Sequence, residues 1–180
     1  CSTLGTAAAV LFAAGAIAGE AHRGTMEMWL ARPVSRARLL TERWVGGMIA
    51  IVLPVFATSA TVPAMLVMFD KTMEWNDLWM CSFHMSAFLM VVYAATFLWS
   101  SYGSEPLRIS FVMMFGAILV FALYLVESVT NYSLYRLVDI EVFMEIVLTD
   151  GLDWRMVAPM LILTLVLYGL SLRAFRTRVP

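Results

Sequence analysis

The sequence predicts an all-α fold, a polytopic bundle of membrane helices, and three observations carry that expectation. Of 180 residues, 62% are hydrophobic and 14% charged, with a mean hydropathy of +0.83, far from the composition of a soluble domain. Five apolar runs, none holding a full charge, approach or exceed the roughly 20 residues that a helix needs to cross a hydrocarbon core about 30 Å thick. The twelve Lys and Arg residues fall between these runs and alternate in density, nine in one set of connections and three in the other. The runs are continuously apolar and lack period-two alternation, which favours helices over the strands of a membrane barrel.

Span one covers about Ser2–Gly19 and is rich in alanine, with Gly15 and Gly19 spaced as GxxxG. Small residues let membrane helices approach closely, so this face is expected to pack against another helix, within the chain or across a dimer. Span two, about Trp44–Phe69, is long enough to tilt or break. Pro54 and Pro63 each remove a backbone donor there, so a bent or two-part helix is expected. Span three, about Met80–Ser100, holds His84 about a turn below one surface, where a neutral imidazole is expected to hydrogen-bond a neighbouring helix. Spans four and five cover about Ile109–Val126 and Met156–Leu172. In the connection 127–155, Leu137, Ile140, Met144, Val147 and Leu148 follow a helical spacing with Asp139, Glu141 and Glu145 between them. This suggests an acidic interfacial or partly re-entrant helix.

Orientation follows from the basic residues, which are retained on the cytoplasmic side. Arg23, Arg32, Arg36, Arg38, Arg43, Arg108, Arg173, Arg176 and Arg178 belong to one set, and Lys71, Arg136 and Arg155 to the other. The expected arrangement is therefore a cytoplasmic C-terminus and an outward Cys1. Trp75, Trp79 and Trp154 would lie at the outer boundary, with Trp29 and Trp44 at the inner one. A chain that opens on an outward cysteine suggests a fragment lacking a preceding span, with a lipidated Cys1 as the lesser alternative. Cys1 and Cys81 are too few for a disulfide framework or a metal site.

Catalytic patterns are absent from the sequence. The single lysine, Lys71, has no GxxxxGK[ST] around it, and HExxH, CxxC and GxSxG do not occur. No carboxylate or arginine falls within a span, which argues against an ion-coupled carrier.

The connection 20–43 is the most distinctive segment. Gly24-Thr25 is suited to stop one helix and start another, with the Thr25 hydroxyl as a cap and Glu27 complementing the helix dipole. Met26, Trp29 and Leu30 fall on one face, Pro33 ends the segment, and Ser35 is placed to cap the next helix. The product is a short amphipathic helix along the cytoplasmic surface.

This stretch, from Gly19-Glu20 through Gly24-Thr25-Met26-Glu27 to Arg32-Pro33-Val34-Ser35-Arg36, resembles the first cytoplasmic loop of type-2 ABC exporter permeases. Trp29 stands where leucine is common and Arg43 where lysine is usual. The basic ending around Arg176 and Arg178 is also similar. The resemblance implies a single permease domain over 1–180, holding spans two to six of a six-span subunit. It implies a coupling helix that docks on a separate ATPase subunit, carried by Glu20, Gly24, Thr25, Glu27, Arg32, Pro33, Ser35 and Arg36.

It further implies a dimer with a second permease copy or a homologous permease, in contact with membrane lipid. ATP and Mg would be held by the partner subunit, with no cofactor, metal or catalytic residue in this chain and no nucleic-acid partner. A bacterial or archaeal cytoplasmic membrane would be the location. A broken segment near the outer gate would correspond to the region of Ile140 and Met144. The residues alone leave open a non-transporting scaffold or assembly factor that uses the same loop to bind a cytoplasmic protein.

Overall fold

The computed structural model describes residues 2–25, 35–68, 70, 73–126, 133–149 and 151–177. Their helices run α1 (Ser2–His22), α2 (Arg36–Ser59), α3 (Val62–Val67), α4 (Trp75–Tyr102), α5 (Pro106–Tyr124), a 3-10 helix (Leu134–Val138), α6 (Ile140–Thr149) and α7 (Trp154–Thr177). Among the described residues, five stretches are long and apolar enough to cross a membrane: Thr3–His22, Arg36–Val67, Trp75–Tyr102, Pro106–Tyr124 and Trp154–Phe175. They coincide with the five expected spans. Most extend further at their ends, because Arg, Glu and Trp at a boundary continue a helix as readily as apolar residues do.

Span two is divided as its prolines suggested, but only one of them makes the break. Pro54 sits inside α2, whereas Pro63 lies in the first turn of α3. A proline ring clashes with the carbonyl four residues back, and for Pro63 that residue is Ser59, where α2 stops. The Thr58 hydroxyl donates to the Pro54 and Val55 carbonyls at 2.8 and 3.0 Å, and Thr61 donates to the Thr58 carbonyl at 2.7 Å. These hydroxyls add bonds to carbonyls of the last turns before the break.

The bundle is organised around α4, which packs against α1, α2, α5, α6, α7 and the 3-10 helix. Its apolar window is 61% buried, against 39% for α1, 22% for α7, 11% for α5 and 6% for α2–α3, so α4 is the core helix and α5 and α2–α3 lie at the periphery. Four hydroxyls of α4 are satisfied within the helix: Ser82, Ser86, Thr96 and Ser101 donate to the carbonyl four residues back, at 2.7 to 3.0 Å. That removes the cost of an unpaired polar group in an apolar setting.

Two close approaches fix the packing. The Ser100 hydroxyl donates to the Ala14 carbonyl at 3.1 Å and accepts from the Ala18 amide at 3.0 Å, so it sits against one rung of the α1 ladder. Ala13, Ala14 and Ala18 are fully buried and make room for it. On α2, a Cβ at Gly47 would lie 2.0 Å from the Tyr93 Oη, which donates to the Arg43 carbonyl at 3.4 Å. Tyr93 therefore occupies the space that any side chain at 47 would need.

The GxxxG face plays a different part from its expected one within the chain. A Cβ at Gly15 would meet nothing within 4 Å, and one at Gly19 only the Arg23 guanidinium at 3.8 Å. The close contact falls on the alanine face instead, because Ser100, the group that reaches into α1, faces Ala14 and Ala18.

Contacts sort the helix ends into two groups. At one end lie Glu20 and Arg43, Ala14 and Ser100, and Trp44 packed on Tyr168 with ring centroids 4.5 Å apart. At the other lie Phe83 against Trp154, Thr6 against Tyr135, and His84 against Leu137.

Candidate functional site

The first candidate region is the root of the 20–43 connection. α1 ends in a Schellman motif: the Thr25 amide donates to the Glu20 carbonyl and the Gly24 amide to the Ala21 carbonyl, both at 3.2 Å. Gly24 adopts φ +68°, the left-handed conformation that glycine reaches without steric cost. The Glu20 side chain then becomes the centre of a cluster. Its Oε1 lies 3.2 Å from the Arg23 Nη2 and 3.3 Å from the Arg43 Nη2, and its Oε2 accepts from the Thr25 hydroxyl.

Glu20 is 16% exposed, while Arg23 is 65% and Arg43 37% exposed. Arg43 is the better shielded partner and lies on α2, so the carboxylate ties the end of α1 to the first turns of α2. The Thr25 hydroxyl, expected as a cap for a following helix, is directed back onto Glu20. Ser35 does cap: its hydroxyl accepts from the Arg38 amide at 3.3 Å at the start of α2, whose first residue is Arg36. Arg38 pairs with Glu42 at 2.9 Å one turn on, and both are well exposed, a pair that contributes little. Leu39, Leu40 and Phe175 pack beside Glu20 and Arg43, so α7 closes the same corner. Glu27, Arg32 and Pro33, with the expected short amphipathic helix, lie outside the described residues.

The second region is α6 at the opposite end. The 3-10 helix is capped by Ser133, whose hydroxyl accepts from the Tyr135 amide at 3.2 Å and donates to the Val120 carbonyl at 2.7 Å. Asp139 separates it from α6, its Oδ1 accepting from the Tyr124 hydroxyl at 2.8 Å and the Ile140 amide at 2.6 Å. This carboxylate at a helix start favours the turn through the helix dipole. It also corrects the expected stripe: extended backbone at Asp139 puts Leu137 out of register with Ile140, Met144, Val147 and Leu148. Those four face outward, Ile140 73% and Met144 58% exposed, while Val142 and Ile146 pack inward. Ile140 and Met144 line a cleft of about 480 Å³ with Ser59 and Val62 at the α2–α3 break and Leu78 and Cys81 on α4.

His84 joins this region. It is fully buried, its Nε2 lies 2.6 Å from the Leu137 carbonyl, and its ring meets the edge of Phe143 at 5.8 Å. With Nε2 donating to this carbonyl, His84 fastens α4 to the 3-10 helix, as expected of a structural histidine. Cys81 is a free thiol. Among the described residues, no three His, Cys, Asp or Glu side chains form a group able to hold a metal ion.

Sequence reasoning missed Phe143, which lines the 480 Å³ cleft and also a larger one of about 600 Å³ between α1, α2 and α4. Phe143 lies between Glu141 and Glu145 and off the Ile140–Met144–Val147 stripe, so nothing in the pattern singles it out. Gly47 and Tyr93 were missed as well, although Gly46-Gly47 inside a span was a visible signal.

No curated protein and no solved structure matches the chain. A family model described as ABC-2 family transporter protein matches residues 1–178, nearly the whole length. The chain belongs to the ABC-2 family of transporter proteins and is a multi-pass membrane permease component of an ABC transporter.

Proposed function

We propose that this chain is the transmembrane subunit of an exporter driven by a separate ATPase subunit, which binds ATP and Mg and performs all the hydrolysis. The connection 20–43 is the coupling element on the cytoplasmic side, and the C-terminus lies on that side. The observation that carries the reading is the Glu20 cluster: a carboxylate holding both ends of the connection lets a push on the loop displace α1 and α2 together. On this reading Glu27, Arg32, Pro33 and Arg36 contact the ATPase, while Glu20, Gly24, Thr25 and Ser35 position the loop. Gly15, with open space beside it, suits a second permease copy, and Ile140 and Met144 form the outer gate.

The test is co-purification of the full-length protein with its candidate ATPase, followed by ATPase rates in lipid. A Glu27→Ala/Arg32→Ala double change is expected to abolish association, and Glu20→Ala to preserve association but weaken membrane-coupled stimulation of the ATPase. Wild-type protein that binds no ATPase would transfer the case to a membrane scaffold.

A further inference from the structure

α6 is lightly held. Of its ten residues only Val142 and Ile146 are buried, and a short helix with so few inward side chains belongs to the part of a fold that opens most readily. Two polar groups fix its start. Asp139 accepts from the Ile140 amide and from the Tyr124 hydroxyl. His84 reaches across from α4, its Nε2 2.6 Å from the Leu137 carbonyl of the 3-10 helix, and its ring packs edge-to-face on Phe143 of α6 with centroids 5.8 Å apart.

The two nitrogens of this fully buried imidazole are placed differently. A carbonyl only accepts, so Nε2 carries the hydrogen of its bond. Nδ1 is buried too, and no hydrogen-bond partner for it lies among the described residues. An imidazolium has an N–H on both nitrogens, so the charged form would add a buried donor that meets no acceptor.

Nor does a counter-charge stand beside it. On α4 itself, Asp77 is two turns back and the Cys81 thiol one turn back. The 3-10 helix carries Tyr135, which bonds Thr6, and the exposed Arg136, and it ends at Asp139, already engaged as described. Glu141 and Glu145 of α6 and Arg155 at the start of α7 are exposed, and Asp153 caps the Arg155 amide. Among the described residues none of these carboxylates forms an ion pair with His84.

We propose that His84 is a proton-sensitive latch: protonation at Nδ1 releases the 3-10 helix and α6 from α4. Phe143 then loses the ring it packs on, and the 480 Å³ cleft that α6 forms with α4 widens. The latch stands on contacts between α4, the 3-10 helix and α6 alone. The proposed orientation enters only in naming the outer compartment as the source of the proton, and the coupling reading does not enter.

The test uses the full-length protein in lipid nanodiscs without ATPase or ATP. Hydrogen exchange, corrected for the intrinsic effect of pH on amide chemistry, is followed from about pH 7.5 to about pH 5.5, the range in which a histidine ordinarily changes charge. Exchange in α6 and the 3-10 helix is expected to quicken several-fold on acidification, with α1 and the Glu20 end of α4 unchanged. His84→Gln keeps an amide able to donate to the Leu137 carbonyl and does not titrate, so it is expected to abolish the acid step.

Exchange in α6 that ignores pH would overturn the latch, as would acceleration spread evenly over all helices. An acid step that survives in His84→Gln would overturn it in favour of a carboxylate such as Asp139. Should His84→Gln fail to fold, the wild-type protein with labelled histidine still decides the matter by NMR. A His84 ring whose shift follows the same pH curve as the exchange supports the latch, and a ring that keeps its neutral shift through the acid step overturns it.

Discussion

At Gly47 the hydroxyl of Tyr93 stands 2.0 Å from where a Cβ would be, and the ring carbons behind it at 2.6 and 2.8 Å. Tyr93 is fully buried and stacked on Phe97 at 5.6 Å, so it has no free direction in which to withdraw. Gly47→Ala must push α2 away from α4 and is expected to cost about 1–3 kcal/mol, the usual range for overpacking. Tyr93→Leu also destabilises, by leaving a cavity. The two changes relieve one another, so the double variant should lose less than the sum of the singles in a thermal unfolding cycle in detergent. Strict additivity would show that the two helices do not meet there. The interaction was invisible in the pattern because a glycine in an apolar run looks the same whether it has open space beside it, as Gly15 does, or a buried tyrosine.

At the scale of elements, the division of span two has a dimensional cause. Residues 36–67 number 32 and as one helix would measure roughly 48 Å, well beyond a hydrocarbon core of about 30 Å. The break falls at Ala60 and Thr61, and the flanking Ser59 and Val62 line a cleft with Ile140 and Met144 of α6. Because Pro63 and not Pro54 stands at the break, Pro63→Ala is expected to extend α2 through Ala60 and Thr61. Hydrogen exchange should then slow at those two amides, whereas Pro54→Ala should leave them unchanged; the reverse pattern would assign the break to Pro54.

Existence and type of the spans were legible, since length and apolarity decide both, and so was the stop at Gly24, where only a left-handed residue closes the motif. The register of α6 was not, because it depends on Asp139, whose carboxylate is claimed by Tyr124 from another helix. A tertiary hydrogen bond of that kind leaves no trace in periodicity.

At the scale of the whole molecule, two independent arguments divide the chain in the same way. Counting basic residues by alternate connections separates nine from three. Packing brings the end of α1, the start of α2, the end of α4 and the latter half of α7 together through Glu20 with Arg43, Ala14 with Ser100, and Trp44 with Tyr168. These are the ends that adjoin the nine. Trp79 and Trp154 fall with the opposite group, through Phe56 on the distal part of α2 and Phe83 on the first half of α4.

Helix packing has no knowledge of the membrane potential or of insertion, so the agreement ties a charge rule to a contact map. On the proposed orientation, retention of basic residues inside places the group that adjoins the nine on the cytoplasmic side. With both native cysteines replaced by serine, a cysteine at the exposed Ser104 is expected to be shielded from a membrane-impermeant maleimide in intact cells and labelled after lysis. A cysteine at the exposed Thr149 is expected to be labelled before lysis. Labelling of both from outside would break the two-group division itself, and an exchange of the two results would invert the orientation and move the Glu20 cluster out of reach of a cytoplasmic ATPase.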